Sequence, residues 1–180
     1  MQVFTLDDAF VLRRNRRLNE LGVKEENVNP LCAPEDVTGD VLKLAAMPSV
    51  KSSTSADGEN AGLAQLDMDV TALTMNGDVI TSCVLDSVQA KVAMGADEVP
   101  AEFPTKNELG EGYGMKAWGN AKFEWNEQAA AFAAYVTGLT AAQVEGIAVN
   151  EGTKPTDADL AATVTIAVGG YKALIVKAAQ

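Results

Sequence analysis

The stretch that decides the fold runs from Leu63 to Val92: "LAQLDMDVTALTM" (63–75), "NG" (76–77) and "DVITSCVLDSVQAKV" (78–92). Two runs rich in Val, Thr, Met and Leu on either side of Asn76-Gly77 predict a β-hairpin, because that dipeptide accepts the positive φ angles of a two-residue type I′ turn. A turn there sets a register in which Met68 faces Leu85 and Val70 faces Cys83 on one side, while Asp67 meets Asp86 on the other. Opposed aspartates repel unless they are solvated or share a cation, and solvation is the plainer expectation.

Before the hairpin, "SVKSSTSADGENAG" (49–62) reads as a loop, and the composition changes near Met47. All the arginines lie in "RRNRR" (13–17), whereas from Met47 onward eight lysines stand against seventeen acids. Residues 1–46 are therefore expected to form an accessory segment with one short amphipathic helix, carrying Leu6, Phe10, Leu18 and Leu21 and ending at Gly22. Residues 47–180 are expected to form the principal domain.

After the hairpin, "PAEFPTKNELGEGYGMKAWG" (100–119) is dense in Gly and Pro and predicts a long structured loop. Trp125, Ala129, Phe132 and Val136 follow at steps of four, three and four, which is the spacing of one buried helix face. Thr140 with Gln143 three residues on predicts a capping box and a short helix to Gly146. "GIAVNEGTKPTDADL" (146–160) suggests a short strand and a polar turn, "ATVTIAV" (162–168) alternates like a strand, and Gly169-Gly170 releases "YKALIVKAA" (171–179) as a terminal helix. The expected class is α+β: an antiparallel sheet with helices packed on one face.

Length and composition narrow the function classes. With 180 residues, 47% of them apolar, the chain can bury one sizeable core. No apolar run approaches the roughly 20 residues of a bilayer span, and "RRNRR" leads into no apolar leader core, so neither a membrane span nor an export signal is expected. A net charge of -11 argues against nucleic acid, whose phosphates want a cationic face. Cys32 and Cys83 lack CxxC spacing and read as two unpaired thiols. The absence of His removes the commonest general base and transition-metal ligand, so any chemistry must come from carboxylates, hydroxyls or a borrowed cofactor, and no catalytic residue or metal site is singled out. Redox chemistry would have to come from a borrowed cofactor.

The order of these features resembles the FMN-binding domain family, and in particular the FMN-binding-like lipoproteins of Firmicutes. It comprises the hairpin with "NGDVI", the Gly-rich "NELGEGYG" (107–114), the helix closing in "FAAYVTG" (132–138) and then "DADLAAT" (157–163). The resemblance covers about Asp57 to Gln180 and implies an FMN-binding, electron-transferring flavoprotein domain of an extracytoplasmic, envelope-associated protein. In that family an Asp-x-x-Ser-Gly-Ala-Thr element carries FMN esterified to the threonine by a flavin transferase. Asp157 takes its aspartate position and Thr163 its threonine, while Leu160 stands in the Ser position and Ala161 in the Gly position. Tyr113 and Trp118, either side of Gly114, offer an aromatic wall for the isoalloxazine ring, and Lys106 and Lys116 flank them. The partners implied are a redox protein and the transferase.

The residues also support blander readings. Thr163 fits any strand as a β-branched residue, Asp157 and Asp159 suit a turn or helix start after Pro155, and Tyr113 and Trp118 suit a lid over their own core. Under the alternative function, the chain is a non-enzymatic binding or structural module that keeps an FMN-binding-like fold without the cofactor.

Overall fold

The computed structural model describes residues 40–95, 100 and 102–180, and the described part belongs to one unit, Gly39–Gln180. The expected helix over Leu6–Leu21, the arginines and Cys32 lie outside the described residues. Three antiparallel strands form a meander in the order β1 (Val41–Ser49), β2 (Leu63–Asn76) and β3 (Val79–Ala93). Residues 41–46 therefore belong to the sheet, and the composition change near Met47 falls inside β1 rather than at a domain edge.

The hairpin is present, but its register differs from the expected one. Asn76 pairs with Val79, so the loop residues are Gly77 and Asp78, and among the loop residues only Gly77 has a positive φ, +56°. That is the pattern of a type II′ turn, which wants Gly first, rather than of type I′. Between Met75–Ile80 and Thr74–Ser82 the pairing slips by one residue, leaving Thr81 as a β-bulge. Thr74 Oγ1 lies 2.7 Å from both Thr81 Oγ1 and Ser82 Oγ, and Thr81 Oγ1 donates to Asp40 Oδ2 at 2.7 Å. The displaced turn and the bulge together pair Met68 with Val88, Val70 with Asp86 and Asp67 with Gln89. The bulge also turns Ile80 and Leu85 to the same side, and both are buried.

The helices cover that side. After the loop come α1 (Lys106–Leu109), a 3-10 turn (Gly110–Tyr113) and α2 (Met115–Gly119). The predicted 100–119 loop thus folds into short helical turns, capped by Thr105 and hinged at the positive-φ Gly110 and Gly114. Next is α3 (Trp125–Val136), whose Trp125, Ala129, Phe132 and Val136 are all buried, as the spacing predicts. Truncating Phe132 to Ala would cost about 3–5 kcal/mol, since it sits fully enclosed. Beyond Gly138 the chain docks on the start of β3: Gly138 N donates to Ile80 O at 2.7 Å and Ile80 N to Leu139 O at 2.9 Å. The short helix α4 (Ala141–Glu145) carries the predicted Thr140–Gln143 capping box.

The segment after α4 makes one isolated bridge, Val149 to Pro155, around a turn. A single turn of helix, α5 (Ala158–Ala161), follows, and α6 (Gly169–Ala179) ends the chain, with Gly169 and Gly170 inside its first turn. The expected strand over 162–168 does not form. Thr163 N and Val164 N continue the α5 turn to Leu160 O, and Val168 N donates to Thr153 O at 2.8 Å. Thr165 N and Ile166 N are taken by the side chain of Gln128, so no ladder partner is left for them to find. The architecture is α+β, with α3 against β3 and α6 against β1 and β2 on one sheet face, where the Trp125 and Tyr171 rings meet edge-on at 6.1 Å.

Candidate functional site

The alternation of β2 puts its odd positions toward the helices. Near the turn these are Leu73 and Met75, but farther along they are Gln65, Asp67 and Asp69. The inner face is therefore polar at the end remote from the turn. Asp67 Oδ1 accepts from Gln65 Nε2 at 2.7 Å and from Gln89 Nε2 at 3.1 Å, while Oδ2 accepts from Ser52 Oγ at 2.8 Å. The bond from Gln65 is the largest influence holding the Asp67 carboxyl below its ordinary value, against a smaller opposing effect of burial. Asp69 Oδ1 accepts from Ser87 Oγ at 2.7 Å, and Tyr113 OH donates to Gln89 Oε1 at 3.3 Å. Lys106 Nζ sits 5.0 Å over the Tyr113 ring and 5.2 Å over Trp125.

Burial, with the nearby Asp69 charge adding to it, pushes the Tyr171 hydroxyl well above its ordinary value, so it stays protonated. Neutral donors hold the carboxylates, and among the described residues no group of three acidic or thiol side chains is arranged to hold a metal ion. Cys83, on the same face, carries a free thiol pushed up to about 11 by burial, which leaves little thiolate at neutral pH. The arrangement ties the sheet to α1, the 3-10 turn and α6.

The residues expected to hold a flavin form two local groups. Asp157 N-caps α5, its Oδ1 accepting from Leu160 N at 3.0 Å, and exposed Thr163 donates through Oγ1 to Leu160 O at 3.3 Å. Tyr113 points to the sheet, Gly114 turns the chain at φ +80°, and Trp118 lays its indole against Gly114 while remaining 89% exposed. Among the described residues no hydrogen bond joins the first group to the second. Lys106 is held over its rings and Lys116 pairs with Glu127 at 2.7 Å. The pairing of Asp67 with Asp86 is corrected: Asp67 faces the helices opposite Gln89, and Asp86 lies on the outer face.

The outer face is the feature that sequence reasoning missed. The even positions of all three strands, 42–48, 64–74 and 82–92, face away from the helices. They include Leu42, Leu44, Leu66, Met68, Val70 and Val84, and Asp86 is the one charge among them. Leu42 is 63% exposed, Leu44 70% and Val84 59%. An antiparallel sheet with one solvated face ordinarily turns polar residues outward, and here β2 does the reverse. The signal lay in "ALMVA" at Ala64, Leu66, Met68, Val70 and Ala72, which reads as a core stripe until the helices are placed.

No family model, curated protein or solved structure matches the chain. The site's chemistry is that of an apolar sheet face with few charges over a hydrogen-bonded polar interior.

Proposed function

We propose that this chain is a non-enzymatic assembly module that buries the outer face of its sheet against the same face of a second copy. The observation that carries the reading is the row of exposed Leu42, Leu44 and Val84 on a face whose described strand positions carry one charge, Asp86, with Asp40 at its rim. Strand spacing and rise give the face about 45 Å by about 14 Å, or roughly 600 Å². A stable dimer buries about 800 Å² per partner, so the face comes close to sufficing with its rim. Two such sheets stack about 10 Å apart with their strands about 30° askew, an arrangement a two-fold axis generates from one surface. Sedimentation equilibrium tests this: wild type associates, and Leu44→Lys is a monomer with the same circular dichroism. A wild-type chain that is monomeric at about 100 µM, a concentration at which even weak dimers populate, overturns the reading.

A second reading is the flavin-binding electron-transfer domain, with FMN as cofactor and a flavin transferase and a redox protein as partners. The exposed Thr163 hydroxyl and the exposed Trp118 indole favour it, since one is open to an external transferase and the other to a ring. Intact mass and visible absorbance after co-expression with a flavin transferase decide it. Added FMN mass that is lost in Thr163→Ala supports the flavin reading, and an unmodified, colourless protein in excess FMN removes it.

A further inference from the structure

The edge of β3 raises a different question from the face of the sheet. Ile80 directs both backbone groups away from β2, to Gly138 and Leu139, and Leu85 O likewise faces away, to Asn107 Nδ2 at 2.8 Å. Strand alternation past the bulge turns the N–H and C=O of Cys83 and the N–H of Leu85 the same way. Among the described residues no loop, cap or side chain bonds to these groups. Beside them runs a groove of about 340 Å³ between Thr81–Leu85 and α3. Its helix wall is Ala130, Ala133, Ala134 and Thr137, small side chains that leave the space open. Asn126 also lines it, and among the described residues its buried Oδ1 finds no donor. A buried acceptor left unpaired costs about 1–3 kcal/mol, so the groove is incomplete as it stands.

We infer that the groove takes an extended segment of a partner polypeptide, added to β3 as a fourth strand. Such a segment offers backbone N–H and C=O groups along one edge to Cys83 and Leu85, and a donor to Asn126. Its side chains alternate, so those facing α3 must be small and uncharged to fit beside Ala130 and Ala134. Charge selects its flanks. Among the described residues no charged side chain lines the groove, while Asp40 is bonded to the lining residue Thr81 at one end and Asp86 accepts from the N–H of the lining residue Asn107 at the other. Lysine or arginine at both ends of an uncharged core therefore complements the site. The inference goes beyond assembly through the outer face, because α3 and the strand edge form this wall.

The test uses a labelled peptide, Lys-Thr-Val-Ala-Val-Thr-Lys, blocked at both ends, in fluorescence polarisation with the full chain. Two analogues carry N-methyl groups on alternate residues, one set on each edge of the peptide. Strand addition requires that one analogue bind at least about tenfold more weakly while the other binds like the parent, since only one edge donates. Ala134→Phe, which fills the groove from an exposed helix position, weakens the parent by about tenfold and leaves the circular dichroism and self-association unchanged. Hydrogen exchange at the Cys83 and Leu85 amides slows when the peptide is present. The inference is overturned by no binding up to about 1 mM, by equal binding of both analogues, or by unaltered binding to Ala134→Phe. It is also overturned if Ala134→Phe abolishes self-association, because a second copy would then occupy the edge.

Discussion

Gln128 Oε1 lies 2.8 Å from the amide nitrogen of Thr165, 37 residues along the chain, and the same oxygen accepts from Thr165 Oγ1 at 3.0 Å and Ile166 N at 3.1 Å. Its Nε2 donates to Phe123 O at 3.0 Å, so a fully buried amide side chain has its donor and its acceptor engaged. A side chain here does what a neighbouring strand would do for an extended segment, and it sets the path of 162–168.

Gln128→Leu keeps the shape but leaves three donors and one acceptor to find other partners. It is expected to lower unfolding free energy by about 2–4 kcal/mol, read as a fall in the urea midpoint with an unchanged slope. Thr165→Val removes only the hydroxyl bond and is expected to cost about 1 kcal/mol.

Cys83 is expected to resist thiol reagents. Its value rises from an ordinary 9.0 to about 11, so the thiolate fraction at pH 8 falls about a hundredfold and alkylation slows accordingly relative to the unfolded chain. The sign for stability follows. The unfolded thiol loses its proton first, so the contribution is intact below pH 9 and is lost as pH rises toward about 11. Cys83→Ala should flatten the alkaline limb of a stability profile.

Asp67 acts at the other end of the scale. Its folded value lies below 3.8, so its contribution is present above that pH and is lost as pH falls through the folded value. Asp67→Asn is expected to weaken the network with Gln65, Gln89 and Ser52 by about 1 kcal/mol at pH 7 and to make unfolding less sensitive to acid.

Gly114 stands at φ +80° with the Trp118 indole in the place a Cβ would occupy. Gly114→Ala is expected to destabilise by about 1 kcal/mol or more and to displace Trp118, seen as a change in tryptophan emission. Trp118→Ala, at an exposed position, is expected to change stability by no more than about 0.5 kcal/mol.

The outer face gives a prediction opposite in sign to charge-driven binding. The chain carries -11 and the face is apolar, so added salt screens the mutual repulsion and strengthens self-association. A dimer that dissociates as salt rises from about 50 to about 500 mM, a change that shortens the Debye length about threefold, points to ion pairs instead.

Several features were legible in the sequence because their causes are local. The stripe Trp125, Ala129, Phe132, Val136 needs only the helical period, the Thr140 box needs residues three apart, and the hairpin needs a glycine between two strand-forming runs. The α+β class follows from those elements in order. Register was less legible, because Gly77 serves either a first or a second turn position and the Thr81 bulge has no signature beyond three hydroxyls that happen to meet.

What the sequence by itself determined is the hairpin, the buried α3 stripe, the Thr140-capped turn and the terminal helix, together with the low charge of one strand stripe. What only the tertiary structure decided is which side of the sheet that stripe would face. β2 carries apolar residues on both sides, Leu73 and Met75 at odd positions and Met68 and Val70 at even ones. Periodicity alone therefore leaves the choice open. The bulge resolved it by bringing Ile80 and Leu85 to the side of Leu73, where α3 and α6 could close over one continuous core. The same choice turned Asp67 and Asp69 inward to neutral donors and Leu42, Leu44 and Val84 outward, because burying the larger cluster outweighs the cost of a satisfied polar network.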